Sequence, residues 1–356
     1  MIAHLRSWIN HCPIYYLRSP AFLKDLQPLI TFFEPGGSFC LIYVQNTLMQ
    51  DDLTIMRSFP NFHGSSFDLN QYNKTFEEKN VIIHASSKHV EYGEHWGPLS
   101  MKCVIKGVEH YECNGRFYNV DKDSYLILND GQYYSSYIYS DSTAESFTIN
   151  FAPAFVQRSL RPADFEEREE PKSFEFIEKL YAHDGIAMPL LTSLYWQAAA
   201  EIPDTELINE TYHTLFSYLL LQQEQLKGEI RRIKARKYST QVELYKRLNY
   251  AKDFIHSCYM DEITLDKLAS VACLNSVYFL REFKKYFTVT PHQYVMKRRL
   301  EAAKKLLETT TFSIADICYA VGYRDVTSFN KLFRKNFLLA PGAYRSSVEL
   351  SCKHNC

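Results

Sequence analysis

Nowhere in this chain do two histidines stand two positions apart. Metal-dependent barrel enzymes gather a transition metal with the neutral imidazoles of a His-x-His pair, joined by a glutamate and a later histidine. Here His95, Glu109 and His110 are scattered, so no metal, cofactor or catalytic residue is expected, and no enzymatic activity. Long apolar runs are missing as well: Leu26 to Val44 is broken by Glu34, Pro35, Gly36 and Gly37, which argues against a spanning helix. No charged segment precedes a clean apolar core in the manner of a secretory leader, and a cytoplasmic protein without a membrane partner is expected. Nine cysteines, an odd count, suit a reducing compartment rather than a disulfide framework. Cys352, His354 and Cys356 read as a frayed tail or as a weak metal or redox group.

Net charge is nearly absent too, at −1 over 356 residues, but the balance conceals a partition. Residues 1–230 hold 17 Lys and Arg against 30 Asp and Glu, whereas 231–345 hold 22 against 10. A basic segment of that size is what neutralising phosphates and releasing their counterions requires.

The basic segment contains a repeat. Phe279, Phe283, Lys285, Phe287, Pro291 and Tyr294 are answered fifty residues later by Phe329, Phe333, Lys335, Phe337, Pro341 and Tyr344. Thr264-Leu265 and Ser313-Ile314 lie one residue closer, which places a single insertion in the second turn. Each copy reads as a short helix, a turn, a second helix and a Pro-x-x-Tyr stop, a duplicated helix-turn-helix. Ser313 with Asp316 has the pattern of a capping box, Asp325 caps the next helix, and Gly322 supplies the permissive backbone of the turn. The first copy has Cys273-Leu274-Asn275 there, and the residue that adopts the strained conformation is open.

From Glu243 to Arg345 the chain resembles the DNA-binding domain of the AraC family of bacterial transcription regulators. The likeness rests on Leu268-Ala269-x-x-Ala272, Phe283-Lys284-Lys285 to Pro291, Arg299-Leu300-x-x-Ala303-x-x-Leu306-Leu307, Ser313-Ile314-x-x-Ile317-x-x-x-Val321-Gly322-Tyr323-x-Asp325, and Phe333-Arg334-Lys335 to Pro341 and Tyr344-Arg345. It covers a little under a third of the chain. Cys273 and Thr288 stand where the family usually has glycine. The resemblance implies double-stranded DNA as partner, with RNA polymerase as a further one, and base edges read from early in each second helix: Val277, Leu280 and Arg281, then Val326, Thr327 and Lys331. Tyr278, Lys284, Lys285, Asn330, Arg334 and Lys335 complete the expected interface. Arg281 and Lys331 can donate to guanine, while valine, leucine and threonine touch thymine methyls. Pro291 to about Thr309 is expected to be a helix joining the motifs.

The acidic part is a different domain. Between Asn80 and Phe151, β-branched and aromatic residues alternate with polar ones, with turn signals at Lys106-Gly107, Asn114-Gly115 and Asp130-Gly131. Asn114-Gly115 suits a two-residue type I′ hairpin. Gly115-Arg116-x-Tyr118 and Leu126-x-Leu128-Asn129-x-Gly131-Gln132 are similar to the cupin-like sensor barrel many family members carry, which implies a small-molecule effector. Tyr133, Tyr134, Tyr137 and Tyr139 alternate along a strand and either stack on a ligand, together with His110, or belong to the barrel core. Helices are expected at Phe174–Tyr181, Met188–Ala200 and Glu206–Lys237. The last carries Leu207, Leu215, Leu219 and Leu220, which pack on their own domain or form a homodimer interface. Arg231 to Lys237 then leads through Tyr238-Ser239-Thr240 as an interdomain linker.

The fold class is thus α+β: an N-terminal antiparallel cupin-like β-barrel with helices, and a C-terminal all-α domain with two helix-turn-helix units joined by a linker helix. The expected divisions are 1–58, an atypical extension within which Met56 is an alternative start; 59–170, the barrel; 171–237, the helical dimerisation and linker region; 241–345, the DNA-binding domain; and 346–356, a tail.

Overall fold

The computed structural model describes residues 53–60, 68–160, 174–233 and 237–354, and the chain divides near residue 228 into two compact units. Eight strands form one sheet in the first: β1 (Leu53–Met56), β2 (Asn80–Gly97), β3 (Ser100–Lys106), β4 (Val108–Cys113), β5 (Arg116–Asp121), β6 (Ser124–Leu128), β7 (Gln132–Asn150) and β8 (Leu180–Ala182). Their order is β1-β2-β7-β3-β6-β8, with β4 paired to both β5 and β7. β2 and β7 run antiparallel from Val81 opposite Asn150 to Gly97 opposite Gln132, with register shifts at Ser87/His89 and Tyr92/His95. Such shifts bend a strand and re-aim its side chains. β7 therefore serves β3 with its second half and β4 with its first.

Turn chemistry fixes the register. Asn114 and Gly115 have φ of 53° and 69°, the two positive values a type I′ turn needs between β4 and β5. Gly107 and Gly131, with φ of 84° and 77°, occupy the other two expected turns.

Two expectations fail here. β1 pairs with β2 in parallel, so the sheet begins before residue 59 and Met56 belongs to a paired strand; residues 1–52 of the expected extension lie outside the described residues. Phe174–Tyr181 is not a helix, because 174–179 take no regular form and Leu180 to Ala182 pair with β6. The spacing of Phe174, Ile177 and Tyr181 mimics a helical stripe, yet Asn129 claims both backbone groups of Phe176, at 2.7 and 3.0 Å. An amide side chain that satisfies the backbone in this way competes with helix formation.

Helices α1 (Leu69–Glu78), α2 (Pro153–Leu160), α3 (Ala187–Ala199) and α4 (Thr205–Arg231) complete the unit. Phe151, Phe155, Tyr212 and Phe216 meet at ring separations of 5.0 to 5.9 Å, which ties α2 and α4 to the end of β7. Leu215 and Leu219 of α4 are fully buried there. Of the four leucines expected to pack on their own domain or to form a dimer interface, Leu215 and Leu219 are thus spent within their own unit, while Leu207 and Leu220 are half-buried.

The second unit is helical: α5 (Tyr238–Cys258), α6 (Leu265–Val271), α7 (Ser276–Phe287), α8 (Pro291–Thr309), α9 (Ile314–Ala320), α10 (Val326–Phe337) and α11 (Pro341–His354). Tyr238-Ser239-Thr240, expected as linker, forms the first turn of α5 behind Lys237.

Candidate nucleic-acid interface

The two helix pairs α6/α7 and α9/α10 are built alike. Thr264 and Ser313 cap the short helices by accepting from Lys267 N and Asp316 N. Asp316 is not the second half of a capping box, since its carboxylate accepts from the Ser313 hydroxyl. The complete box lies at the start of α8, where Thr290 and Gln293 bond reciprocally. Each turn then closes on the same pair of backbone bonds: Leu274 N to Ala269 O and Cys273 N to Ser270 O, both at 2.9 Å, in the first, and Tyr323 N to Cys318 O and Gly322 N to Tyr319 O, both at 3.0 Å, in the second. The left-handed residue is Cys273 (φ 51°) in the first turn and Gly322 (φ 87°) in the second. Asn275 and Asp325 cap the long helices, and Thr288 and Leu338, both at φ 65°, end them.

Identical packing holds each long helix down. Phe283 lies 5.3, 4.5 and 5.9 Å from the rings of Phe279, Phe287 and Tyr294; Phe333 lies 5.8, 4.6 and 5.7 Å from those of Phe329, Phe337 and Tyr344. Burying one aromatic face turns the other outward. Val277 is 79% exposed, and Arg281, Lys284, Lys285, Thr327, Lys331, Arg334 and Lys335 are exposed as well. Arg281, Lys284 and Lys285 thus have counterparts fifty residues on in Lys331, Arg334 and Lys335.

Other expected readers depart from that face. Val326 packs against the core cluster of Leu300, Ile317 and Phe333, because it stands one position before Thr327, the counterpart of Val277. Tyr278 and Asn330 are half-buried, the Asn330 Oδ1 without a hydrogen-bond partner, while Leu280 is 36% exposed. Arg281 is not free: its Nε donates to Glu282 at 3.0 Å, and its guanidinium lies 5.0 Å over the Tyr278 ring.

Two residues escaped the sequence reading of the interface. Arg299 was noted only as part of a pattern, yet it donates at 2.7 Å to each of three carbonyls, those of Tyr259, Asp261 and Gly322. It anchors the α9/α10 turn to the end of α5. No spacing signals a contact among three such distant segments. Glu282, buried with Phe279 and Phe283 on the packed side of α7, also escaped; its signal was being the one acid in α7.

In the first unit the proposed tyrosine cluster separates. Tyr133, Tyr137 and Tyr139 are 58, 37 and 59% exposed, while Tyr134 is 7% exposed, as alternation on a strand demands. His110 stacks on Tyr137 at 4.6 Å and accompanies the outer set. Inside, Lys102 Nζ donates to the Tyr134 hydroxyl at 2.8 Å. Burial lowers the Lys102 pKa to about 8, opposed by the negative charge of Glu109. Burial also raises the Glu109 pKa, although Ser146, Tyr111, Lys102 and Ser136 favour its charged form. Glu109 Oε2 and Ser100 Oγ are buried without a hydrogen-bond partner. Among the described residues, no group of three or more His, Cys, Asp or Glu is placed to hold a metal, and no helix is long and apolar enough to cross a membrane.

Duplicated, separately capped helix pairs with cations at matched positions define a helix-turn-helix DNA-binding domain. Residues 268–347 match the family described as "Helix-turn-helix domain", a C-terminal domain of the AraC type. It is 24% identical over 253 residues to the uncharacterized HTH-type transcriptional regulator YdiP of Escherichia coli K12, covering 68% of this chain and 76% of that one. It is 31% identical over 117 residues to the lactose operon transcription activator of Staphylococcus xylosus, where it covers 33% of this chain and spans 42% of the relative. The C-terminal domain of the two-component response regulator yesN from Fusobacterium nucleatum is similar at 34% identity, with a TM-score of 0.26, covering 27% of this chain and 93% of that domain.

Proposed function

We propose that this protein is a sequence-specific transcription regulator of the cytoplasm, an activator acting with RNA polymerase, in which α7 and α10 read successive major-groove segments of double-stranded DNA. The observation that carries the reading is the matched trio of exposed cations, Arg281, Lys284 and Lys285 on α7 and Lys331, Arg334 and Lys335 on α10. α8, with 19 residues, is roughly 28 Å long at about 1.5 Å per residue, comparable to a DNA turn of about 34 Å. The two pairs form the helix-turn-helix units and α8 the linker between them.

Genome-wide site mapping followed by titration of a mapped duplex and a scrambled one tests this. Arg281→Ala is expected to weaken the mapped duplex by about 1 to 3 kcal/mol and relax preference at one base pair. Lys335→Ala, as a phosphate contact, should weaken both duplexes alike. Equal losses on both duplexes for Arg281→Ala would make it a backbone contact.

The first unit is a cupin-like sensor barrel in a homodimer, and its effector sits inside the sheet rather than on the Tyr133, Tyr137 and His110 surface. Buried polar groups ordinarily find partners; Glu109 is served by Ser146, Tyr111 and Ser136 and by the charge of Lys102, yet its Oε2 is without a hydrogen-bond partner, which favours a ligand that supplies a donor there. Thermal-shift screening with polyols and amines tests it, since a ligand of the folded state raises the melting temperature. The reading of a barrel used only for assembly predicts no shift.

A further inference from the structure

α7 buries a carboxylate where its twin does not. Glu282 is 9% exposed, and its two oxygens divide between Arg281 Nε at 3.0 Å and Lys285 Nζ at 3.2 Å. Fifty residues on, the same place is held by Leu332, which packs against the core cluster. An apolar residue therefore suits this position, and burying a charge instead carries a desolvation cost that needs compensation. The compensation is on the outer face. Arg281 has 65% of its side chain exposed, yet it is held from two sides, with Glu282 on Nε and the Tyr278 ring 5.0 Å below the guanidinium. Engaging Nε leaves the paired N–H groups of Nη1 and Nη2 as the open fork.

We infer that Glu282 is a specificity-determining positioning residue that holds Arg281 as a preformed, end-on fork for the O6 and N7 acceptors of a guanine. The inference rests on the proposed role of α7 in reading DNA. A rotamer-rich side chain fixed before docking loses less freedom when it binds, and a guanidinium presented in one orientation discriminates among base edges better than a mobile one. Lys331, the counterpart of Arg281, is a point charge without the fork geometry, and Leu332 gives it no carboxylate. The first half-site is thus read more strictly than the second. Glu282 also sets a negative charge near the DNA backbone, offset by Lys285.

The test uses the full-length protein with the mapped duplex and with versions carrying each other base pair at the position Arg281 reads. Glu282→Leu should reduce discrimination at that pair by about tenfold, the scale of a good bidentate contact, while leaving discrimination in the second half-site unchanged. Glu282→Gln keeps an acceptor for Nε and should retain the preference within about twofold on that same scale, which separates orientation from charge. In an Arg281→Ala background, Glu282→Leu should change discrimination no further. Melting curves accompany each variant, and Leu332 makes leucine a tolerated residue in this environment. The inference is overturned if Glu282→Leu alters all duplexes equally, if Glu282→Gln loses as much preference as Glu282→Leu, or if the loss persists without Arg281. A wild-type protein that prefers no sequence would overturn the DNA-reading proposal itself, an outcome seen before any variant is measured.

Discussion

Gly322 and Cys273 occupy the same left-handed corner of the two turns, but with unequal surroundings. A Cβ on Gly322 would meet Met260 O at 2.5 Å and the Arg299 guanidinium carbon at 3.0 Å, so Gly322→Ala combines backbone strain with a clash. A loss of more than about 1 to 2 kcal/mol is expected from the left-handed conformation alone, read as a lowered melting temperature. Cys273 is exposed, and the bond that its carbonyl accepts from Arg247 survives substitution. Cys273→Gly is therefore expected to stabilise the protein, by a gain of up to about 1 kcal/mol. Lys102 gives a prediction in pH. With its folded pKa lowered to about 8 and an unfolded value near 10.4, the unfolded chain holds a proton between those limits that the folded chain has released. Stability contributed by this lysine thus rises with pH from about 8 toward 10. Denaturant titrations at pH 8 and 9.5 should show the rise in the wild type and a smaller one in Lys102→Met.

At the scale of elements, packing explains which stripes are available. Leu219 is 1% exposed and Phe283 fully buried, so Leu219→Ala should cost about 2 to 5 kcal/mol and Phe283→Ala about 3 to 5. Both losses should be independent of protein concentration, because neither side chain reaches a surface; melting curves over a wide concentration range check this. The helix-pair boundaries and the Asn114-Gly115 hairpin were legible, since caps, aromatic spacing and positive-φ residues are local signals. Phe174–Tyr181 was misread because its apolar spacing fits two periods, and the Asn129 side chain that decides between them comes from another strand. The α4 stripe was legible as apolar, but its partner was not, as the aromatic cluster around Phe151 is assembled from three elements.

For the whole molecule, the charge partition carries the consequence. The basic residues of 231–345 should make binding to a non-specific duplex fall by on the order of a thousandfold between about 50 and 200 mM salt, if six or more phosphates are neutralised. Fluorescence anisotropy with the full-length chain measures the slope. A shallow slope would mean that the cations solvate a surface and contact few phosphates.

The sequence by itself determined the repeat, the helix caps, the basic partition and the turns of the sheet, because each is written in residues within a few positions of one another or at a fixed offset. Only the tertiary structure decided that β1 joins the sheet, that Tyr134 faces Lys102 while Tyr133 and Tyr137 face outward, and that Arg299 ties three segments together. The physical reason is common to them. A cap or a turn is satisfied by neighbouring backbone, whereas the partner of a buried charge or an edge strand is chosen by chain closure between segments whose separation leaves no periodic trace.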